Sequence, residues 1–333
     1  MPDASPAGGT GAAVPPPHRF SPSAIDVLVV LTTLVWGGNY AIVKTALHQI
    51  PELGFNALRL AIASSLFLTV LAFYPAQAGG RRAGARTLFP SARLFTRREW
   101  LILIGLAVSG HLLYQLCFLG SVARTSVANS SLIVGSSPVA VLLLAAAVGQ
   151  ERVSRLHWLG AATSLLGVYL LVGTGASVSR ESGIGDLLMV AAVCLWAVYA
   201  VASVPLLRRH SPIALTGYSM AMGTLMYLPF AAGELARMSW RTVTPGAWAG
   251  LVFSGVFALF AAYIVWHTAI QRIGNVRTSM FSNLIPVTAL ATAVLFLGDR
   301  LTGRQAVGAA AVLAGVGLTR LRGLARAALP AEE

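Results

Sequence analysis

Charged residues are scarce in this chain. Only 11% of its 333 residues are Asp, Glu, Lys or Arg, whereas soluble domains average about 25%. Hydrophobic residues make up 56%, and the mean hydropathy is +0.74. A soluble protein of this composition could not cover its surface with polar groups. The scarcity of charge therefore excludes a soluble globular protein and predicts an integral membrane protein.

Cysteine and the short motifs of catalytic or metal sites are also nearly absent. The two cysteines, Cys117 and Cys194, lie inside apolar runs and have no partner at metal-ligand spacing. The sequence contains no HExxH, GxSxG or CxxC motif. We therefore expect no metal site, no cofactor and no enzymatic activity.

Acidic residues are outnumbered, 11 against 24 basic ones, and the net charge is +13. In a soluble chain this excess would suggest a nucleic-acid partner. Here nearly all the basic residues lie in short loops between apolar segments, which is typical of the positive-inside rule of membrane proteins. We therefore expect a lipid bilayer, and no nucleic acid, as a partner.

Apolar segments long enough to cross a bilayer recur along the chain. A spanning helix needs about 20 mostly apolar residues, and ten segments qualify. The predicted spans are 24–45, 52–74, 100–120, 126–148, 155–173, 184–206, 212–232, 247–270, 276–297 and 303–321. The segment 1–22 is predicted to be a disordered tail, and 322–333 a second tail.

The ten spans fall into two similar halves, predicted at 24–173 and 184–321. Residues 149–170 and 297–318 are identical at eight of 22 aligned positions. Other residues recur at the same offset of 148 or, earlier in each half, at 160. The recurring pairs are Trp100 with Trp248, Pro138 with Pro286, Gly160 with Gly308, Gly167 with Gly315, Asp26 with Asp186 and Trp36 with Trp196.

Five spans per half is an odd number, so the second half enters the membrane upside down. Inverted repeats of this kind are found in many secondary transporters. With the amino terminus inside, 16 basic residues lie on the inner side and seven on the outer side. The positive-inside rule therefore predicts that both termini are cytoplasmic, in a cell (plasma or inner) membrane.

Several motifs resemble the EamA repeat of the drug/metabolite transporter superfamily. They are "LVWGGNYAIVK" at 34–44, "NALRLAIASSL" at 56–66, and the two related runs at 149–170 and 297–318. The resemblance covers about 25–320. It implies ten helices, a central cavity, alternating access, and export of amino acids, other metabolites or drugs. An intramembrane enzyme, and a receptor or structural membrane protein, remain the alternatives.

The second repeat departs from the first at three motif positions. Ala197 replaces Gly37, Val204 replaces Lys44 and Ser219 replaces Arg59. Whatever Lys44 and Arg59 do is therefore done once, in the first half.

Polar and aromatic side chains within the spans are candidates for a binding site, because polar groups in a bilayer tend to face a bundle interior or a wet cavity. They form two clusters, one in each half of the membrane. The candidates are Trp36, Asn39, Tyr40, His111, Tyr114, Gln115, Asn129, Ser130, Trp196, Tyr199, Tyr263, Trp266, His267, Ser282 and Asn283. We expect them to surround one site for a small organic solute. The alternative is interhelical hydrogen bonds that only hold the bundle, at about 0.6 kcal/mol each.

The two basic residues of the first motifs allow more than one interpretation. Arg59 lies seven residues into span 2 and is either a structural or snorkelling cation, or a partner for a carboxylate or phosphate. Lys44, at the outer end of span 1, is expected to snorkel. Pro138 and Pro286 are expected to break spans 4 and 9.

The histidines and the repeated glycines also leave alternatives open. His111 and His267 either couple transport to protons or are hydrogen-bonded buried imidazoles. Each recurring glycine pair lies on one helix face and permits close packing. The paired faces are Gly160/Gly167 and Gly308/Gly315, and they serve either the bundle or a homodimer.

The substrate class follows only loosely from the candidates. They carry no fixed negative charge, which suits neutral or zwitterionic molecules with apolar parts, such as amino acids. Because Arg59 is positively charged, anionic substrates remain an alternative.

Overall fold

Helices build the whole of the described part of the chain. The computed structural model describes residues 24–73, 94–125, 130, 133–150, 154–172, 180–288, 291 and 302–327, and no strand occurs among them. The helices are α1 (Ala24–Ala46), α2 (Glu52–Phe73), α3 (Arg97–Arg124), α4 (Ser137–Ala147), α5 (Arg155–Val172), α6 (Arg180–Leu207), α7 (Pro212–Arg237), α8 (Pro245–Ile273), α9 (Asn275–Met280) and α10 (Gly303–Ala327). Every predicted span has its helix, which confirms the predicted ten-helix fold.

Some helices continue beyond the predicted spans. Helix α7 ends at Arg237 rather than near 232, and α10 ends at Ala327 rather than at 321. The segment 322–327, predicted as part of a tail, is therefore helical. Hydropathy marks where the apolar stretch stops, whereas a helix rich in Ala, Leu and Arg continues because these residues favour helix. The predicted tail at 1–22 lies outside the described residues.

Side-chain caps fix where several helices begin. The Thr96 hydroxyl accepts the amide of Glu99, while the Glu99 carboxylate accepts the amide of Thr96, a capping box at α3. Ser211 accepts the amide of Ala214, and Pro212 follows at the first helical position of α7.

The repeated stretch contains the same kind of cap twice. At α5 the amide of Ser154 donates to Nδ1 of His157 at 3.2 Å. At α10 the amide of Thr302 donates to Oε1 of Gln305 at 2.9 Å, and the Gln305 amide donates back to the Thr302 hydroxyl at 3.3 Å. The recurrence at 148 residues therefore includes the start signal of the last helix of each half.

Successive helices run in opposite directions between two faces. We call the face at which α1 begins the proximal face, and the face at which it ends the distal face. At the distal face the Lys44 ammonium donates to the carbonyl of Thr125 at 3.0 Å, and the Thr125 hydroxyl donates to Asp186 at 2.6 Å. The end of α1, the end of α3 and the start of α6 therefore meet there.

The proximal face is joined in the same way. Arg209 lies 3.3 Å from the Glu99 carboxylate, and the Gln271 amide donates to the carbonyl of Leu207 at 2.6 Å. Helix α6 therefore starts at the distal face and ends at the proximal one, opposite to its repeat equivalent α1. The predicted inversion of the second half is confirmed.

Helices α5 and α10 pack against each other backbone to backbone. The Cβ of an alanine at Gly167 would lie 2.7 Å from the carbonyl oxygen of Gly308. An alanine at Gly315 would place its Cβ 2.6 Å from the carbonyl oxygen of Gly160. The Ser164 hydroxyl also donates to the carbonyl of Val312 at 3.4 Å. The four recurring glycines therefore face one another within one chain.

Both predicted proline breaks lie in interrupted helices. Residues 133–134 are helical, a turn follows at 135–136, and α4 begins at Ser137 with Pro138 in its first turn. After α9 a 3-10 turn at Phe281–Asn283 precedes Pro286. Proline lacks an amide donor and clashes with the carbonyl four residues earlier. Both interruptions lie beside the central cavity, since Val134, Ser137 and Ser282 line it.

Candidate functional site

A central cavity lies between the two halves. Its volume is about 70 Å³. Its walls are mostly aromatic and apolar, with amides, hydroxyls and one guanidinium. The lining residues are Trp36, Asn39, Tyr40, Arg59, Tyr114, Gln115, Phe118, Val134, Ser137, Met189, Ala192, Val193, Trp196, Ala258, Leu259, Tyr263 and Ser282. These positions lie mainly between the middle of the bundle and the distal face.

About half of the candidate residues from the sequence lie in this wall. Those that line it are Trp36, Asn39, Tyr40, Tyr114, Gln115, Trp196, Tyr263 and Ser282. Those that are buried elsewhere are His111, Ser130, Tyr199, Trp266, His267 and Asn283. Asn129 lies outside the described residues. The apolar wall of α6 was not predicted, because in the sequence Met189, Ala192 and Val193 look like any other apolar residues of a helix bundle.

Arg59 is the charged group of the cavity wall. Its side chain is 2% exposed. Nε donates to Oδ1 of Asn56 at 2.7 Å, Nη1 to the Ser254 hydroxyl at 3.1 Å and Nη2 to Oε1 of Gln115 at 2.6 Å. We call these four residues the Arg59 junction, which ties α2 to α3 and α8. Arg59 does not snorkel, and its three hydrogen-bond acceptors are side-chain oxygens rather than backbone carbonyls.

A second set of polar contacts lies toward the proximal face. Nε2 of His111 lies 3.2 Å from the Ser219 hydroxyl, and Nδ1 of His267 lies 3.0 Å from the Thr216 hydroxyl. The Tyr199 ring packs against both imidazoles, with centroids 5.1 and 5.4 Å away. We call these five residues the histidine layer. All five are 0% exposed, so the proximal side of the bundle is filled at the depth where the distal side holds the cavity.

Thr216 and Ser219 were not among the candidates. A signal for them exists in the sequence, because they stand 160 residues after Asn56 and Arg59. The two halves therefore build the same kind of interhelical junction at equivalent places. The junction around α2 consists of a guanidinium, two amides and the Ser254 hydroxyl, whereas the contacts of α7 pair hydroxyls with imidazoles.

An aromatic cluster separates the cavity from the histidine layer. The Trp36 ring contacts Trp196, Tyr263 and Trp266, with centroids 5.9, 6.3 and 4.9 Å away. Its indole N–H donates to the carbonyl of Ala258 at 2.9 Å. Edge and tilted aromatic pairs stabilise by about 0.5–1.5 kcal/mol each beyond the area that they bury. The cluster therefore forms a firm floor to the cavity.

Two π-helical segments lie at equivalent places in the two halves. They span Ala107–Leu113 in α3 and Ser254–Ala261 in α8. Such segments insert an extra residue into a turn and are frequent at functional sites. The first segment contains His111 of the histidine layer, and at its Gly110 a Cβ would lie 2.6 Å from Cγ of Tyr199.

Lys44 binds the end of α3 at the distal face, and its snorkelling toward the membrane surface stays a prediction. Its ammonium donates to the carbonyls of Val122 at 2.8 Å and Thr125 at 3.0 Å, at the carboxyl end of α3. Cations stabilise helix carboxyl ends, where carbonyls lack partners. Lys44 does not line the cavity.

The described residues contain no cluster of three His, Cys, Asp or Glu side chains that could hold a metal ion. Their site consists instead of a small polar and aromatic cavity between two inverted halves. An arrangement of this kind defines a class, the multi-pass membrane transporters with inverted repeats.

The profile of the EamA-like transporter family matches residues 23–173 and again residues 183–321. The chain belongs to this family and carries its domain twice. A solved crystal structure shares the fold, with a TM-score of 0.69 over 91% of this chain and 100% of that one, at 19% identity.

Several curated relatives are named as transporters. An "Uncharacterized transporter" of Archaeoglobus fulgidus is 29% identical over 89% of this chain and 97% of its own length. A "Probable amino-acid metabolite efflux pump" of Salmonella typhimurium is 25% identical over 87% and 92%. A "Probable terminal-alkyne amino-acid exporter" of Streptantibioticus cattleyicolor is 26% identical over 90% and 94%.

Proposed function

We propose that this chain is a secondary transporter that exports small organic solutes, amino acids among them, by alternating access. The observation that carries the proposal is that the distal and proximal sides of the bundle are built from equivalent elements but are filled unequally. The distal side holds the cavity, whereas the proximal side is filled by the histidine layer. Because the halves are inverted copies, exchanging their conformations would move the cavity to the other side of the membrane.

The chemistry of the cavity supports small amphipathic solutes. Tyr40, Tyr114 and Phe118 form one aromatic wall, with Tyr40 and Tyr114 centroids 5.5 and 5.7 Å from Phe118. Asn39 brings a side-chain oxygen that accepts no hydrogen bond from the described residues. The names of the Salmonella and Streptantibioticus relatives favour amino acids or their derivatives.

The volume supports a moving rather than a static site. Pockets for small organic ligands usually enclose about 300–1,000 Å³, several times the 70 Å³ found here. A solute can therefore enter only when the halves separate further. Closure around a bound solute and separation after release are the two motions that alternating access requires.

The remaining parts of the proposal concern placement. We place the protein in the cell membrane, with its proximal face and both termini in the cytoplasm. Its two halves are 24–173 and 184–321. We assign it no enzymatic activity. The glycine faces of α5 and α10 cover each other within one chain. A homodimer would therefore use another surface.

Solute efflux from proteoliposomes tests the proposal. Vesicles would be loaded with L-phenylalanine, L-leucine, L-threonine, uridine or rhodamine 6G, with protein-free vesicles as the control. We expect saturable efflux of at least one amino acid. Efflux of none of the five solutes, or efflux that never saturates, would contradict a carrier.

An imposed pH gradient separates the two possible roles of the histidines. Uphill movement driven by the gradient would indicate proton coupling, and it would direct attention to His111 and His267. Movement that only equilibrates concentrations would indicate facilitated diffusion, with both imidazoles holding helices together.

A further inference from the structure

Arg59 carries a buried positive charge that no described carboxylate neutralises. Its three hydrogen-bond acceptors, Asn56, Gln115 and Ser254, are all neutral. No carboxylate oxygen of the described residues lies within 4.0 Å of the guanidinium. Buried charges are normally paired, so the missing partner requires an explanation.

The described carboxylates all lie near helix ends. Asp26, Glu52, Glu99 and Asp186 stand within the first turns of α1, α2, α3 and α6 or shortly after them, and Glu234 stands in the last turn of α7. Glu234 accepts the amide of Gly54 at the start of α2. The middle of the described bundle therefore offers Arg59 no anion from the protein.

The fold itself does not need a cation at this place. The equivalent of Arg59 in the second half is Ser219, which contacts His111 of α3. The equivalent of Asn56 is Thr216, which contacts His267 of α8. Helix α7, the repeat equivalent of α2, therefore meets α3 and α8 through hydroxyls and imidazoles, without a guanidinium. The charge of Arg59 is additional to what helix packing requires.

Arg59 also faces the space where a solute would lie, because it lines the cavity. Of the five guanidinium N–H donors, three bind the junction residues. One remains on Nη1 and one on Nη2. Two donors and a single charge match one carboxylate. A phosphate dianion would keep a net negative charge, because the described lining holds no second cation.

We propose that Arg59 binds the carboxylate of the transported solute, and that the substrates are monocarboxylates with an apolar or aromatic body, which the surrounding rings of Trp36, Tyr114 and Trp196 receive. This inference rests on the proposed transport function and narrows its substrate class. It assigns the anion-binding group to the distal side of the bundle, where the cavity lies.

Binding of three matched compounds to the purified protein tests the inference. L-Phenylalanine carries both charges, N-acetyl-L-phenylalanine keeps only the carboxylate, and L-phenylalanine methyl ester loses it. Two of the seven tryptophans, Trp36 and Trp196, line the cavity, so tryptophan fluorescence reports binding. We expect the two acids to bind about 10- to 100-fold more tightly than the ester, the range for one hydrogen-bonded charge.

Three variants separate anion binding from helix support. Arg59→Gln should abolish the preference for acids over the ester, and Arg59→Lys should retain part of it. Lys44→Gln is the matched control, because it removes the other basic residue of the first-half motifs, one that does not line the cavity. It should leave the preference unchanged. Should Arg59→Gln fail to fold, the wild-type comparison and Arg59→Lys still decide.

The contrary outcomes are distinct. An ester that binds as tightly as the acids, or an Arg59→Gln protein that keeps the preference, overturns the inference. Absence of binding by all three compounds, while vesicles export another solute, also overturns it but leaves the transport function standing. If no solute of the vesicle panel moves, the transport function fails and this inference fails with it.

Discussion

Gly315→Ala should destabilise the protein, because Gly315 lies directly against the backbone of α5. The new Cβ would lie 2.6 Å from the carbonyl oxygen of Gly160 and 2.7 Å from the amide nitrogen of Ser164. Both atoms belong to the backbone of α5 and cannot rotate away. Ordinary contact begins at 3.4 Å, so α5 and α10 must separate by about 0.8 Å.

The cost of this separation follows from overpacking. Forcing an extra methyl group into a packed interface costs about 1–3 kcal/mol of unfolding free energy. Alanine also favours helix over glycine by up to about 1 kcal/mol, which offsets part of the cost. For a domain of this size each kcal/mol lowers the melting temperature by about 2–4 °C.

Gly317→Ala on the same helix is the matched control. A Cβ there meets nothing within 4 Å, and the position is exposed. Thermal unfolding in detergent should show Gly315→Ala melting roughly 2–12 °C below Gly317→Ala. Equal melting temperatures would refute the reasoning that these glycines hold α5 and α10 together.

A double variant tests the mechanism further. Gly167→Ala presses on the same helix pair from the other side, with its Cβ 2.7 Å from the Gly308 carbonyl oxygen. One separation of the helices relieves both clashes, so the second substitution should cost less than the first. Fully additive losses would show that the two contacts yield independently.

Four further substitutions have expected outcomes. Trp36→Phe removes the hydrogen bond to Ala258 and should lower the unfolding free energy by about 0.5–1.5 kcal/mol. It should also slow efflux from vesicles, and unchanged efflux would contradict a role of Trp36 in the cavity floor. Lys44→Met should cost about 1 kcal/mol in thermal unfolding without altering which solutes compete in efflux assays; an altered solute preference would count against its structural role. Thr302→Ala and Ser154→Ala should each lower the unfolding free energy by about 0.5–2 kcal/mol, because each removes a helix cap. Efflux per folded molecule should stay unchanged, and a marked loss of efflux in folded protein would argue against a purely capping role.

Hydropathy and the repeat predicted most of the architecture. Ten apolar segments must become ten helices, because a bilayer leaves backbone groups no other partners. An odd number of spans per half then dictates inversion. Pro138 and Pro286 were local signals of the same kind, since both lie in interrupted helices. The start of α3 at Arg97, fixed by the capping box of Thr96 and Glu99, was not predicted, because hydropathy placed this span at 100.

The candidate site was predictable only in part. A polar residue within a span indicates the bundle interior but not which neighbour it meets. Gln115 and Ser254 reach Arg59 from 56 and 195 residues away, and no local pattern encodes that meeting. The π-helical segments escaped prediction for the same reason, because their hydrogen bonds depend on how α3 and α8 pack.

Helices α3 and α8 each contribute a side chain to both the Arg59 junction and the histidine layer. Helix α3 supplies Gln115 to the Arg59 junction and His111 to the histidine layer, while α8 supplies Ser254 and His267. Moving either helix away from α2 removes one acceptor from Arg59. In the proposed site a bound carboxylate supplies a replacement acceptor, so it stabilises the moved arrangement more than the resting one. A solute can shift a conformational equilibrium only through such a difference in affinity. Binding of a carboxylate at Arg59 would therefore favour the transition more than binding of an ester, whose carbonyl oxygen is an uncharged and weaker acceptor.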